Sequence, residues 1–152
     1  MIRVRRLRRC LARSYAGGAS ACLSVAGVVP RGRQVFEFMQ PYAEREELEV
    51  FWILALDAQM KIIWNRPLTV TRGILNSSLV HPREVFRLAI HANAAGIIAV
   101  HNHPSGDPTP SAVDRAITEQ LVAAGRMLDI PLHDHLVVAA RRYLSFAESG
   151  LL

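Results

Sequence analysis

The feature that most restricts the fold is the run Phe51-Trp52-Ile53-Leu54-Ala55-Leu56, an almost unbroken apolar stretch that stops at Asp57 and Ala58. A strand with one wet face alternates apolar and polar side chains. This run offers water neither face, so it predicts a strand covered on both sides. After a turn, Ile62, Ile63 and Trp64 predict a second strand. Upstream, Val35, Phe38, Met39 and Tyr42 recur at helical spacing within residues 34–47, with Pro41 as a kink or break. Downstream, residues 81–96 predict a helix that opens at Pro82, turns Val85, Leu88, Ala89 and Ala92 to one face, and stops near Gly96. Residues 97–103, IIAVHNH, then read as a short buried strand. Residues 111–129 read as a helix with Ile117, Leu121, Val122 and Leu128 inward, residues 131–139 as another strand, and residues 143–152 as a closing tail. Strands alternating with helices make this an α/β chain whose sheet carries helices on both faces.

Its 152 residues fit one domain, large enough to bury about two-thirds of the surface its unfolded form exposes. A net charge of +5 suggests a polyanionic partner, but the charge is unevenly placed. Residues 1–33 hold eight arginines and no acid, which leaves −3 on the rest. The folded part therefore shows no basic footprint for a nucleic-acid groove. The opening segment passes from arginine-rich to Gly/Ala/Ser-rich, and residues 1–30 are set apart as a basic arm. A targeting segment, a disordered arm and a start codon assigned too early all fit it. Cys10 and Cys22 form neither a zinc clip nor a disulfide framework, in keeping with a reducing compartment. No stretch approaches the roughly 18 consecutive apolar residues that span a bilayer, so a membrane partner is not expected.

Chemistry concentrates in residues 101–114, HNHPSGDPTPSAVD. His101 and His103, two apart at a strand end, project from the same face and supply half of a zinc site. Asp114 can supply a third ligand. Pro104, Gly106, Pro108 and Pro110 make a stiff, turning loop, Ser111 stands where the next helix begins, and Asp114 falls on its first turn. Two imidazoles and one carboxylate suit zinc better than magnesium. Ser111 and Asp114 also have the spacing of a capping box, so they cap a helix, serve a metal, or do both.

With His101, His103, Ser111 and Asp114 on its four fixed positions, this stretch matches the JAMM signature H-x-H-x7-S-x2-D of the JAB/MPN+ metalloproteases. From about residue 34 to residue 152, the chain resembles the bacterial RadC proteins. The resemblance implies that residues 31–152 form an MPN domain: a mixed central β-sheet flanked by helices in a cytidine-deaminase-like three-layer sandwich. It also implies one Zn2+ per chain held by His101, His103 and Asp114. Glu49 occupies the place of the upstream glutamate that acts as general base, with Glu46 and Glu47 as nearby competitors. Zinc lowers the pKa of a coordinated water toward about 7 and polarises a carbonyl. Ser111 would donate a hydrogen bond to the oxyanion. The implied activity is zinc-dependent amide or isopeptide hydrolysis of a peptide or protein substrate, in the bacterial cytoplasm.

The chain departs from the RadC pattern in having only the arginine-rich arm where that family usually carries a helix-hairpin-helix region, which weakens the link to DNA repair. The competing reading is a RadC-like scaffold whose arm holds phosphates without sequence preference. An HNH nuclease does not fit, since such enzymes do not place the three letters as a tripeptide. A zinc deaminase lacks its P-C-x-x-C ligands here. Of the other histidines, His81 and His91 read as surface or core polar groups. Asp134 and His135 point to opposite faces of their strand, and the favoured role for the pair is to fix that strand's packing, the other being to orient a metal-bound histidine from behind.

Overall fold

The computed structural model describes residues 28–73 and 80–152. The arm expected over residues 1–30 falls almost wholly outside them, as do Cys10 and Cys22.

The elements follow the order α1 (Gly32–Ala43), β1 (Val50–Leu56), β2 (Leu68–Arg72), α2 (Pro82–His91), β3 (Gly96–Asn102), α3 (Ala112–Leu128), β4 (Leu132–Ala139) and β5 (Arg142–Ser145). They build one five-stranded sheet in the order β2-β1-β3-β4-β5. β3 and β4 run parallel through the α3 crossover, and the remaining neighbours are antiparallel, so the sheet is mixed.

The apolar run does become a strand buried along its whole length, because side chains of opposite parity enter two separate cores. On one face Phe51, Ile53, Ile97 and Ala99 pack under Val85, Phe86 and Ala89 of α2 and under Ile117 and Leu121 of α3. On the other, Trp52, Leu54, Ile98, Val100, Leu136 and Val138 meet Val35, Phe36 and Met39 of α1. The result is a three-layer sandwich of helix, sheet and helix pair, the architecture expected for a JAB/MPN domain. Burying side chains of this size stabilises by about 1.5–3 kcal/mol each before ordering entropy is subtracted, which makes the doubly covered β1 and β3 the framework for whatever lies at their ends.

The second strand begins later than the apolar residues Ile62, Ile63 and Trp64 suggest. Ile62 makes a lone bridge to Leu56, and Ile63–Asn65 forms a single 3-10 turn with Trp64 at φ 61° and Asn65 at φ 49°. That left-handed pair breaks any extended run, and the strand is carried instead by Leu68–Arg72, in which Val70 and two threonines favour the pleated conformation. α1 ends at Ala43, not at residue 47, two residues after Pro41, whose ring sits within the last turn. α2 stops at His91, and Gly96 opens β3 instead of ending the helix. Leu128 is not inward: at the last turn of α3 it is 45% exposed. The tail contributes the short edge strand β5. His81 caps α2, its Nδ1 accepting from the Arg83 N–H at 3.1 Å, and both His81 and His91 are exposed.

Candidate metal centre

Side chains from the sheet and from the start of α3 meet at the end of β3. His101 pairs with Phe51 of β1 and Val137 of β4, so its ring stands at the middle of the sheet, fully buried and stacked against Phe51 at 6.0 Å. His103 follows just beyond the strand and leaves the same face, and the two Nε2 atoms lie 3.0 Å apart. Gly106, at φ 84°, then turns the loop in a conformation that L side chains rarely adopt. The turn aims the Asp107 carbonyl back at His103 Nδ1, 2.7 Å away.

Asp114 closes the ring from the first turn of α3. Ser111 is the N-cap and the capping box is complete: the Ser111 hydroxyl accepts from the Asp114 N–H at 3.2 Å and donates to Asp114 Oδ2 at 2.7 Å, and the Ser111 N–H reaches the same oxygen at 2.6 Å. Oδ1 faces His101 Nε2 at 3.3 Å, and Oδ2 is 3.6 Å from His103 Nε2. The carboxylate therefore caps the helix with one oxygen and meets His101 with the other. Glu49, one residue ahead of β1, brings Oε1 to 3.4 Å from His103 Nε2.

A chain of hydrogen bonds fixes which ring nitrogens carry protons. Thr118 Oγ1 lies 2.6 Å from the Asp114 carbonyl, an acceptor, so its one proton goes there. The same oxygen lies 2.7 Å from His135 Nδ1, which must then be the donor. A neutral His135 is consequently bare at Nε2, 2.9 Å from His101 Nδ1, and His101 must donate to it. His101 is thus bare at Nε2. His103, its Nδ1 donating to the Asp107 carbonyl, is in its neutral form bare at Nε2 as well. Two lone pairs face each other at 3.0 Å with carboxylates beside them, an arrangement that calls for a cation or a proton at their meeting point.

The electrostatics agree. Burial, reinforced by His135 and His103, holds His101 well below the usual histidine range against the opposing pull of Asp114. Burial likewise lowers His135 to about 4, so both rings are neutral near pH 7. His103 goes the other way: its bond to Asp114 outweighs partial burial, with help from the Asp107 carbonyl and Glu49. Asp114 itself is pushed up by burial, yet its interactions with His103, His101 and Ser111 more than offset this and hold it far below the carboxylate range. One anion, two bare nitrogens and a partly exposed second carboxylate make a cation socket.

Donor atoms of Glu49, His101 and His103 all fall within 4.8 Å of one another, so this group could hold a metal ion. Nitrogen and oxygen ligands about 2.0–2.1 Å from a tetrahedral ion would stand about 3.3 Å from each other; the His101–His103 and His103–Glu49 separations of 3.0 and 3.4 Å, and those of 3.3 and 3.6 Å from the two histidines to Asp114, lie around that value. The residues fit such an ion.

A family model described as the RadC-like JAB domain matches residues 30–151. The chain belongs to that family. Among its relatives, a UPF0758 protein of Thermotoga maritima is 50% identical over 121 residues, which cover 78% of this chain and 52% of the relative. UPF0758 protein STH371 of Symbiobacterium thermophilum is 50% identical over 120 residues, 79% of this chain and 50% of the relative. UPF0758 protein YkfG of Escherichia coli is 44% identical over 118 residues, 78% of this chain and 73% of the relative. The chain thus spans about half the length of the first two of these curated relatives.

Within this RadC-like JAB domain, Thr118 and the Asp107 carbonyl escaped the sequence reading, and His135 stood there only under the less favoured alternative. His135 and Asp134 do take opposite faces, but their roles divide. Asp134 anchors the C-terminal turn, accepting from the Ser145 hydroxyl at 2.6 Å and the Ala147 N–H at 3.0 Å, whereas His135 stands behind His101. The favoured reading of the pair as strand packing alone is therefore corrected for His135: the Ala99↔His135 register puts it on the His101 face. Thr118 is one helical turn after Asp114, a spacing that could have flagged it. Asp107 acts through its backbone carbonyl, for which its side chain gives no signal.

Proposed function

We propose that this chain is a zinc-dependent metallopeptidase-type hydrolase, with one Zn2+ per chain held by His101, His103 and Asp114, that cleaves an amide or isopeptide bond. What carries the reading is the enforced pair of bare Nε2 atoms on His101 and His103 beside the Asp114 carboxylate. Two imidazoles and a carboxylate are a common catalytic zinc set and leave a position open to solvent and substrate. When bound, zinc supplies Lewis acidity, polarising a carbonyl and lowering the pKa of water toward about 7. Glu49, half-buried at the rim, is placed to accept a proton from the attacking water and to return it to the leaving amine. Ser111 donates to Asp114 Oδ2 at 2.7 Å, but its own N–H holds that oxygen too, so the hydroxyl can turn to a developing oxyanion without stripping the carboxylate of its partner. Behind them His135 and Thr118 keep His101 in the tautomer that presents Nε2.

Elemental analysis of the purified chain tests the assignment. One zinc per chain is expected in wild type and Glu49→Gln, and well under half of that in His101→Ala and Asp114→Ala. Cleavage of a peptide and isopeptide library is expected in wild type and lost in Glu49→Gln. A wild type without zinc, or an Asp114→Ala variant that keeps it, refutes the ligand set.

A further inference from the structure

The middle letter of the His-Asn-His tripeptide has no place in the chemistry above, yet Asn102 is 4% exposed and both ends of its side-chain amide are engaged. Oδ1 accepts from the Val50 N–H at 2.7 Å, and Nδ2 donates to the Leu48 carbonyl at 3.0 Å. These are the two backbone groups that flank Glu49. The third tie falls on Glu49 itself, whose carbonyl accepts from the Gly73 N–H at 2.8 Å.

The sheet register explains why a side chain is needed there. β1 and β3 pair from Leu56↔Gly96 to Phe51↔His101, and one more step would set Val50 opposite Asn102. The pairing stops before that step, while Asn102 goes on pairing with Val138 of β4 and the His103 N–H bonds the Val138 carbonyl at 2.8 Å. At this point β3 stays with β4 and parts from β1. An Asn side chain ends in a group with the donor and acceptor of a peptide, and here it bridges the widening gap, satisfying a buried N–H that the ladder has abandoned. The gap is where Glu49 Oε1 and His103 Nε2 approach to 3.4 Å.

We propose that Asn102 is a positioning residue: its amide replaces the missing rung between β1 and β3, and so holds the Glu49 backbone at a set height over the His101 and His103 pair. The role rests on Glu49 being the proton carrier argued above. No other side chain of this length offers both an acceptor and a donor, so Asp keeps one tie and Ala or Leu neither. Displacing a reacting group by about 1 Å can cost about 100-fold in rate.

The test uses the full chain as wild type, Asn102→Ala, Glu49→Gln and the double variant, each loaded with Co2+ and examined by visible absorption. All four are expected to take up one cobalt. Asn102→Ala should shift the spectrum in the same sense as Glu49→Gln, and the double variant should superimpose on Glu49→Gln, since the clamp has nothing left to place. With a cleavable substrate, Asn102→Ala should lower kcat 10- to 100-fold at constant KM. Loss of cobalt from Asn102→Ala, or a further spectral change on adding it to Glu49→Gln, overturns the proposal. If wild type takes up no cobalt, the metal reading fails by itself. The clamp is then decided on the wild-type chain, as it also is if Asn102→Ala does not fold, by proton exchange of Asn102 Nδ2 and the Val50 amide. Slow exchange at both supports it, and exchange of Nδ2 at the rate of a free amide refutes it.

Discussion

Replacing Thr118 by valine removes one oxygen from a site 2% exposed and leaves shape and volume nearly unchanged. Two bonds go with it: the one donated to the Asp114 carbonyl at 2.6 Å and the one accepted from His135 Nδ1 at 2.7 Å. The carbonyl keeps its helical N–H partner, so the loss falls on His135. If His135 retains its proton on Nδ1, a buried donor goes without an acceptor, at a cost of about 1–3 kcal/mol. If the proton moves to Nε2, it confronts the proton on His101 Nδ1, and relief requires His101 to move its own proton to Nε2, the atom assigned to the metal. Either route penalises the metal-competent state. Zinc affinity should therefore fall about 10- to 100-fold, or about 1.4–2.7 kcal/mol, the scale on which outer partners of metal-bound histidines act. Competition with a chromogenic chelator measures the affinity, urea unfolding of the chelated chain measures the stability, and nitrogen-detected NMR reads the tautomers. Affinity within twofold of wild type, with His101 still bare at Nε2, would show that the relay does not govern the site.

Three further outcomes follow from the same geometry. Asp114→Ala should lose the metal and, separately, about 1 kcal/mol of stability measured with chelator present, because it removes half of a capping box; an equal stability in wild type and variant would mean that the cap contributes nothing. Stability of the chelated chain should fall as pH drops from about 6.5 to about 4: buried His135, held near 4 when folded and near 6.5 when unfolded, binds more protons unfolded across that window, worth up to about 3 kcal/mol. His101 adds to the fall, and the stability His103 gains from its upward shift is already fully present below about 6.5. Asp134, shifted upward by burial, opposes the fall only toward the acid end, so a urea midpoint that rises across the whole window would contradict the burial of the two neutral rings. Gly96→Ala should cost about 1–3 kcal/mol, since a Cβ there would meet the His133 imidazole, whose Nε2 is buried without a hydrogen-bond partner among the described residues; the same change in a His133→Ala background should cost under about 1 kcal/mol by urea unfolding.

What could be read from the residues alone was whatever depends on local pattern. β1 and the first part of β3 announce themselves because burial on both faces leaves no polar residue to interrupt the runs Val50–Leu56 and Ile97–Val100, and α3 because Ser111 and Asp114 mark its start. The expectation of a strand at Ile62–Trp64 failed because apolarity was taken for extension, when Trp64 and Asn65 both take left-handed backbone and the apolar side chains serve a turn. Leu128 misled for a related reason: the helical period carried it inward, but in the last turn of α3 it is Gly125 that packs against the start of β4 while Leu128 is exposed. Within the site, His101, His103 and Asp114 share one short stretch, and their spacing is informative. His135 lies 34 residues from His101, and periodicity shows only that it and Asp134 diverge; which of them faces the histidine is decided by strand register. Asn102 was hidden in plain view, because its partners are backbone groups 52 and 54 residues away that no side-chain pattern encodes.

The double use of Asp114 bears on how sequences of this family are sorted. Its carboxylate completes the first turn of α3, and the ring of His103 likewise ties down its loop through the Asp107 carbonyl. The stability of the fold therefore draws on both residues whatever reaction the site performs. A chain that served only as a scaffold would still gain from His103 and Asp114, so their presence reports a folded loop and helix start, and turnover has to be judged on other residues.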